Sequence, residues 1–168
     1  MIAEDAAFED YFICKAQLLL HTVIQRFHSN EGLCRIIDAQ PEWHMAEYAK
    51  FFALKVVCDD TDSKFLSPTP KVDKIWHEHI LSNLDWYIKD CEFLLVVSNC
   101  EYWQTQPKCI YISHRRIDNQ EEAKFMLATY KQIEAIVWPA ALVTMKRNSM
   151  NEGTMSDDDS EEEGTTCA

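Results

Sequence analysis

Apolar side chains recur at three- and four-residue steps along much of the chain, which is typical of helices that bury one face. In residues 4–28 the recurring positions are Phe8, Phe12, Ala16, Leu19, Leu20, Val23 and Phe27. A short helix is predicted over 33–39, and a second long helix, opened by Pro41, over 41–57. The acidic segment 59–63 is predicted to be a loop that buries nothing.

Strong helix-start signals open the second half of the chain. Ser67 or Thr69 can cap a helix, and a proline at the first helical position loses no hydrogen bond. We expect this helix to continue to about residue 97. Residues 99–118 lack a clear period. A last helix is predicted after the cap residue Asn119, with an inner face made of Ala123, Met126, Leu127, Tyr130, Ile133 and Val137.

These elements predict a mainly all-α fold, a compact multi-helix domain with a short irregular or extended segment near 100–118. The domain is expected to cover residues 1–146. Beyond it, 147–168 is rich in acidic, Ser, Thr and Gly residues, and it is predicted to be a disordered acidic tail. Ser156 and Ser160 precede acidic runs, as in substrates of acidophilic kinases. A purely solubilising tail is the alternative interpretation.

The charge of the chain limits the classes of partner. The net charge is −12, and residues 148–168 hold seven acidic and no basic residues, which leaves −5 on the rest. An acidic body repels phosphate backbones, so no nucleic-acid partner is expected. No apolar run approaches the roughly 20 residues of a membrane span, and the acidic N-terminus is unlike a secretory signal. We therefore expect no membrane partner and a cytoplasmic location, with the nucleus left open.

The cysteines do not form a recognisable metal or disulfide framework. There are seven, with no Cys-x-x-Cys pair. An odd count without a secretory signal indicates reduced thiols. Cys91, Cys100 and Cys109 are evenly spaced, but eight intervening residues match no common zinc module. Buried or inert thiols are therefore favoured over metal ligands.

The segment 71-KVDKIWHEHIL-81 carries a dense group of potential ligands. On a helix, His77 and His79 lie about 160° apart and cannot chelate one metal ion together. Asp73 and His77 are one turn apart and are predicted to lie on the apolar stripe, with His79 at its edge. Such a pair can orient a metal-binding imidazole or satisfy itself inside a core, and both roles stay open. The further ligand would be His114, from the irregular segment.

The same stretch resembles a known family. Residues 66-LSPTPKVDKIWHEHILSNLDWYIKDC-91 resemble the V-D-x-x-W-H-x-H-x-L pattern of the glycine-rich domain-containing protein-like family. The matching residues are Ser67, Pro68, Val72, Asp73, Trp76, His77, His79, Leu81, Tyr87, Asp90 and Cys91. The resemblance covers about residues 42–139 and does not include a glycine-rich region. Ser113 stands where the family tends to have the first His of a pair.

The resemblance implies a helical domain and no particular activity, because the family's biochemistry is largely unassigned. It also implies a polar cluster made of Asp73, His77, His79 and His114. The remaining positions of the motif are taken as structural: Val72, Trp76, Leu81, Tyr87 and Cys91.

The sequence supports two hypotheses about function. No phosphate-binding loop, nucleophile elbow, EF-hand or zinc-finger spacing occurs, so no catalytic or cofactor-binding residue is assigned and a non-enzymatic role is favoured. The first hypothesis is an interaction or regulatory domain with an unidentified protein partner. The alternative is a metal-binding protein or metal-dependent enzyme that holds zinc or iron at Asp73, His77 and His114, with His79 least suited to join them. The oligomeric state is not predicted.

Overall fold

Six α-helices form the part of the chain that the computed structural model describes, which is residues 2–98 and 111–139, with side chains from residue 9 onward. The described residues contain no strand, and 111–119 is irregular. The predicted mainly all-α class is confirmed. In chain order the helices are α1 (Ile2–His28), α2 (Glu31–Asp38), α3 (Met45–Val57), α4 (Pro70–Ser82), α5 (Leu84–Val97) and α6 (Gln120–Val137).

The described residues of the predicted inner faces of the first and last helices are all buried or half-buried, and the side chain of Phe8 lies outside the described residues. Asn119 caps α6 as expected, because its Oδ1 atom accepts the backbone N–H groups of Glu121 at 2.9 Å and Glu122 at 3.3 Å. Gln17 of α1 donates to the carbonyl of Val137, which ties the two helices together. The buried positions recur at helical spacing: Ala16, Leu19, Val23 and Phe27 on α1, and Met126, Tyr130 and Val137 on α6.

Helix α3 lies at the centre of the packing. It begins at Met45 rather than at Pro41, because residues 41 and 42 form a turn and residues 43 and 44 are irregular. Every side chain from Phe51 to Val56 is buried, since α1, α4 and α6 all pack against this helix. The expectation that a helix buries only one face therefore underestimates the buried surface of α3.

Aromatic rings fill the space between α3 and its neighbours. Phe27 of α1 stacks on Tyr48 with ring centroids 5.1 Å apart. Phe51 meets Trp76 of α4 and Tyr130 of α6 edge-on, each at 5.3 Å. Such edge-to-face pairs add to the stability that burial of the rings provides. These contacts fix α4 against α3, and α4 carries the residues of chemical interest.

The predicted helix from Ser67 to residue 97 is wrong in one respect, because it is broken at Asn83. The backbone of Asn83 is extended, with φ −165° and ψ 99°, and its side chain accepts the N–H of Trp86 at 3.1 Å. Asparagine competes poorly for helix interiors and well for caps, which explains why the chain ends one helix here and starts another. Thr69 caps α4 as predicted.

The break corrects the predicted inner face of the motif. The apolar stripe that predicts inward-facing Asp73 and His77 assumes one continuous helix, whereas the chain forms two, α4 and α5. On α4 alone the buried residues are Val72, Ile75, Trp76 and His79, at ordinary helical spacing. His79 is 1% exposed, whereas the side chain of His77 is 53% exposed. The two histidines thus have environments opposite to those expected.

The prediction that the acidic loop after α3 buries nothing is wrong, because the loop buries polar groups. Asp60, Thr61 and Ser63 are all buried. The Nζ atom of the fully buried Lys55 donates to Asp60 at 2.8 Å and to Ser63 at 2.7 Å. A lysine at the end of α3 therefore supplies the charge that lets this loop fold inward.

Several expectations fall on residues that the structure does not describe. The predicted domain boundary at 146, the acidic tail 147–168 and the phosphorylation candidates Ser156 and Ser160 lie outside the described residues. Within the described ranges, no helix is long and apolar enough to cross a membrane.

Candidate functional site

Three potential metal ligands meet at the exposed side of α4. One ligand atom each from Asp73, His77 and His114 lies within 4.8 Å of the other two. The two closest ligand atoms are His114 Nε2 and Asp73 Oδ1. The imidazole N–H donates to the carboxylate oxygen at 2.8 Å. His77 Nδ1 lies 4.0 Å from Asp73 Oδ2. We call these three residues the Asp-His-His cluster.

Helix α4 presents two members of the cluster from its first two turns. Thr69 Oγ1 accepts the N–H of Val72, and the carbonyl of Thr69 accepts the N–H of Asp73, which fixes the start of the helix. Asp73 and His77 then lie one turn apart on the same face. That face is partly open to solvent, and Trp76, on the adjoining face, is buried.

The third member, His114, is positioned by hydrogen bonds to its two preceding residues. The N–H of Ser113 donates to the carbonyl of Thr61 at 2.8 Å, and the Ser113 carbonyl accepts the Ser63 hydroxyl. The Ile112 carbonyl accepts the Tyr87 hydroxyl. The irregular segment is therefore anchored to the loop after α3 and to α5 directly before His114.

Ring contacts hold His114 against α4. Its ring centroid lies 4.4 Å from that of Trp76 and 4.3 Å from that of His77. The Trp76 indole is itself fixed, because its Nε1 donates to the Tyr87 hydroxyl at 2.8 Å. The His114 side chain is 19% exposed. The cluster thus has one sheltered imidazole, one open imidazole and a partly sheltered carboxylate.

The electrostatics of the cluster favour an ionised Asp73. The hydrogen bond from His114 lowers the pKa of the Asp73 carboxyl below its usual value, and the nearby imidazoles act in the same direction against the opposing effect of burial. The carboxylate is therefore available as an anionic ligand across the neutral pH range.

A groove of about 660 Å³ opens beside the Asp-His-His cluster. It lies between α4, the loop that carries Ser63 and Leu66, the segment from His114 to Ile117, and the first turns of α6. Its size falls within the range of about 300–1,000 Å³ that is typical of small-molecule sites. We call it the cluster groove.

His79 is not part of this cluster. Its Nε2 atom lies 3.1 Å from Asp90 Oδ2, and its Nδ1 atom lies 2.9 Å from the Tyr48 hydroxyl. Because a carboxylate only accepts, His79 donates to Asp90 through Nε2, and its Nδ1 is hydrogen-bonded to the Tyr48 hydroxyl. Both ring nitrogens are satisfied in the core, which leaves none to bind a metal ion.

Asp90 is the centre of this buried network, which the sequence did not predict. It also accepts Arg26 Nε at 2.6 Å and Asn30 Nδ2 at 3.0 Å. Burial, the largest influence, raises the pKa of Asp90, but the hydrogen bonds from His79, Asn30 and Arg26 outweigh it and hold that pKa below its usual value. The motif residues His79 and Asp90 therefore lock helices together.

The other motif positions divide between core and surface. Val72, Tyr87 and Cys91 are buried, whereas Leu81 is 78% exposed. Burial raises the pKa of the Cys91 thiol to about 12 and that of Cys58 to about 11. Such thiols are not ionised near neutral pH, which agrees with inert cysteines at these two positions.

Comparison with known proteins adds no assignment. No family model matches the chain, and neither a curated protein nor a solved structure is significantly similar to it. The resemblance to the glycine-rich domain-containing protein-like family therefore stays a prediction.

Proposed function

We propose that this protein binds a divalent transition-metal ion, zinc or iron, through Asp73, His77 and His114. The observation that carries the proposal is the convergence of one ligand atom from each residue within 4.8 Å. Metal–ligand bonds of about 2.0–2.2 Å place neighbouring ligand atoms some 3–4 Å apart, so small side-chain rotations suffice. The Asp73–His114 hydrogen bond would give way to the two metal bonds.

The donor set supports an open metal centre rather than a closed structural one. Structural zinc sites normally use four protein ligands and are rich in cysteine, whereas three ligands leave a position for water or another molecule. Two imidazoles with one carboxylate also form the set that non-haem iron proteins use. The cluster groove gives a further molecule room beside the ion. No reaction is assigned.

The test is the metal content of purified full-length protein. We expect about one zinc ion per chain after zinc loading, and at 100-fold excess over the dissociation constant a stabilisation of about 2.7 kcal/mol against unfolding. His77→Ala should abolish both effects without disturbing the fold, because the side chain is half-exposed. His21→Ala, an exposed histidine on α1, is the matched control and should retain zinc.

Metal-free protein whose melting temperature does not change on addition of zinc or iron would contradict the proposal. Equal metal loss in His77→Ala and His21→Ala would do so as well, because it would indicate nonspecific binding to surface histidines.

An apolar stripe on α5 favours a second candidate function, the docking of a protein partner. Trp86, Phe93 and Val97 are spaced by seven and four residues, so they share one helix face. They are 44%, 38% and 46% exposed. Leu18 of α1, which lines a small groove together with Val97, is 69% exposed and extends the apolar surface. Clustered apolar side chains of this kind mark interaction surfaces more often than single ones do.

The partner hypothesis is tested by comparing two substitutions of exposed apolar residues. A specific partner retained by the full chain should be lost with Trp86→Ala and kept with Leu81→Ala, since Leu81 is 78% exposed on α4. Equal retention by both variants would remove the α5 stripe as the docking surface.

A further inference from the structure

Basic side chains converge on the cluster groove of an otherwise acidic protein. Arg115, Arg116 and Lys124 line it, and Asp73 is its single acidic lining residue among those that the structure describes. The chain as a whole carries a net charge of −12. Each of the three basic residues also pairs with a carboxylate beside the groove, Glu122, Asp118 or Glu121, so the attraction for an anion comes from these cationic groups individually and not from a net positive charge.

Two of these basic residues are held only by weak surface pairs. Arg116 pairs with Asp118 and Lys124 pairs with Glu121, and all four side chains are at least 70% exposed. Exposed pairs of this kind contribute little to stability, so a ligand carboxylate can replace the protein carboxylate at little cost. We call Arg116 and Lys124 the basic rim.

Arg115 plays a different part because it is fixed in place. Its Nε atom donates to the Ser63 carbonyl at 3.0 Å, and its Nη2 atom pairs with the carboxylate of Glu122. It therefore shapes the wall of the groove between the rim and the Asp-His-His cluster.

The remaining wall is largely apolar. Ile117, Ala123, Leu127 and Pro68 line it, and Trp76 forms part of it next to His114. These residues offer few hydrogen-bond donors or acceptors to a ligand. A sugar or nucleotide would leave its polar groups unpaired there, whereas an apolar body would not.

We propose that the cluster groove binds a small carboxylic acid with an apolar body. The basic rim holds the carboxylate, and the apolar body lies along Ile117 and Leu127 toward the metal centre. The assignment of this ligand to the metal centre rests on the proposed function. Binding of the carboxylate to the basic rim does not itself require the ion. The groove volume of about 660 Å³ suits a ligand of this size rather than a macromolecule.

The test is calorimetric titration of full-length protein, zinc-loaded and zinc-free, with octanoate. Octan-1-ol has the same apolar body without the charge, and acetate has the charge without the body. Octanoate should bind at least about tenfold more tightly than either, which is the effect of losing about 1.4 kcal/mol. The double variant Arg116→Gln/Lys124→Gln should weaken octanoate binding by a similar factor.

Arg35→Gln is the matched control for the rim variant. Arg35 is 80% exposed and paired with Glu31, and it lines a separate groove near the end of α4. It should leave octanoate binding unchanged. An equal loss in Arg35→Gln, equal binding of octan-1-ol, or no binding of octanoate would overturn the inference.

Metal content measured on the same preparations separates the two proposals. Zinc retained without octanoate binding would overturn the ligand assignment and leave the metal function intact. Rim-dependent octanoate binding in protein that takes up no zinc would support the ligand class and remove the metal function.

Discussion

At the scale of single residues, Lys55 shows how a buried charge organises a loop. Its side chain has no exposed surface, and it donates to Asp60, Ser63 and the carbonyl of Leu66. Burial, the largest influence, lowers the pKa of Lys55, and the neighbouring Asp60 carboxylate opposes that shift. Asp60 in turn accepts the N–H groups of Lys64, Phe65 and Leu66. One ion pair thus orders the whole turn after α3.

We predict that Lys55→Ala lowers the free energy of unfolding by about 3–5 kcal/mol, because it leaves the Asp60 carboxylate buried without its counter-charge. Lys64→Ala is the control, since the Lys64–Asp62 pair is exposed and contributes about 1 kcal/mol at most. Denaturant unfolding followed by circular dichroism measures both values. Losses of the same size in the two variants would contradict a structural role for the buried pair.

Sequence could identify the residues of this loop but not their burial. The acidic run contains three similar residues, Asp59, Asp60 and Asp62. An acidic run by itself predicts that its side chains are exposed to solvent. Only Asp60 lies within reach of Lys55, and that choice depends on the path of the backbone. The backbone takes left-handed conformations at Asp59 and Ser63, with φ of 53° and 55°. Aspartate adopts this conformation more readily than most residues, but serine gives no such signal, so the local pattern does not indicate both turns.

At the scale of elements, the break between α4 and α5 decides which side chains face the core. Within each short helix, the three- and four-residue spacing correctly identifies a buried face. Across Asn83 the two faces are not in register, so a single stripe drawn through both helices exchanges the environments of His77 and His79. The cap residue itself was visible in the sequence. The apolar pattern runs continuously through Asn83, so that pattern gives no sign that a helix ends there.

The buried network around Asp90 connects elements that are distant in the chain. Asp90 of α5 receives hydrogen bonds from Arg26 of α1, His79 of α4 and Asn30, and Asn30 also caps α2. Tyr48 of α3 completes the network through His79. Five helices are therefore linked, directly or through one further residue, to a single carboxylate.

We predict a specific pH dependence for this network. The folded-state pKa of Asp90 lies below its usual value of about 3.9, so its stabilising effect is complete above that pH and is lost as the pH falls toward the folded value. Asp90→Asn should be less stable than the wild type at neutral pH. The difference in free energy of unfolding should shrink as the pH falls below about 4.

Glu92→Gln, on the exposed side of α5 and beyond its first turn, is the control for this measurement. Its stability should follow that of the wild type at each pH. A difference between Asp90→Asn and the wild type that stays constant across the acid range would show that the Asp90 charge is not what stabilises the network.

At the scale of the whole molecule, the helical class followed from local periodicity, whereas the candidate site required the tertiary fold. Asp73 and His77 are one turn apart, and their pairing can be inferred from sequence alone. The approach of His114 cannot, because it depends on the anchoring of Ile112 and Ser113 by Tyr87, Ser63 and Thr61. None of those hydrogen bonds has a local sequence pattern. The sequence could name His114 only as a candidate.

The separation of the cluster along the chain has a topological consequence. Asp73 and His114 are 41 positions apart in sequence. An ion bound to both would act as a removable cross-link that closes a loop through α4 and α5. Because the ion leaves when the chain unfolds, it stabilises the fold through its affinity for the folded site rather than by restricting the unfolded chain as a disulfide does. A backbone cut at the exposed turn around Asn83 would leave Asp73 and His77 on one fragment and His114 on the other, so the bound ion would add a chelatable contact to the packing that holds the two fragments together.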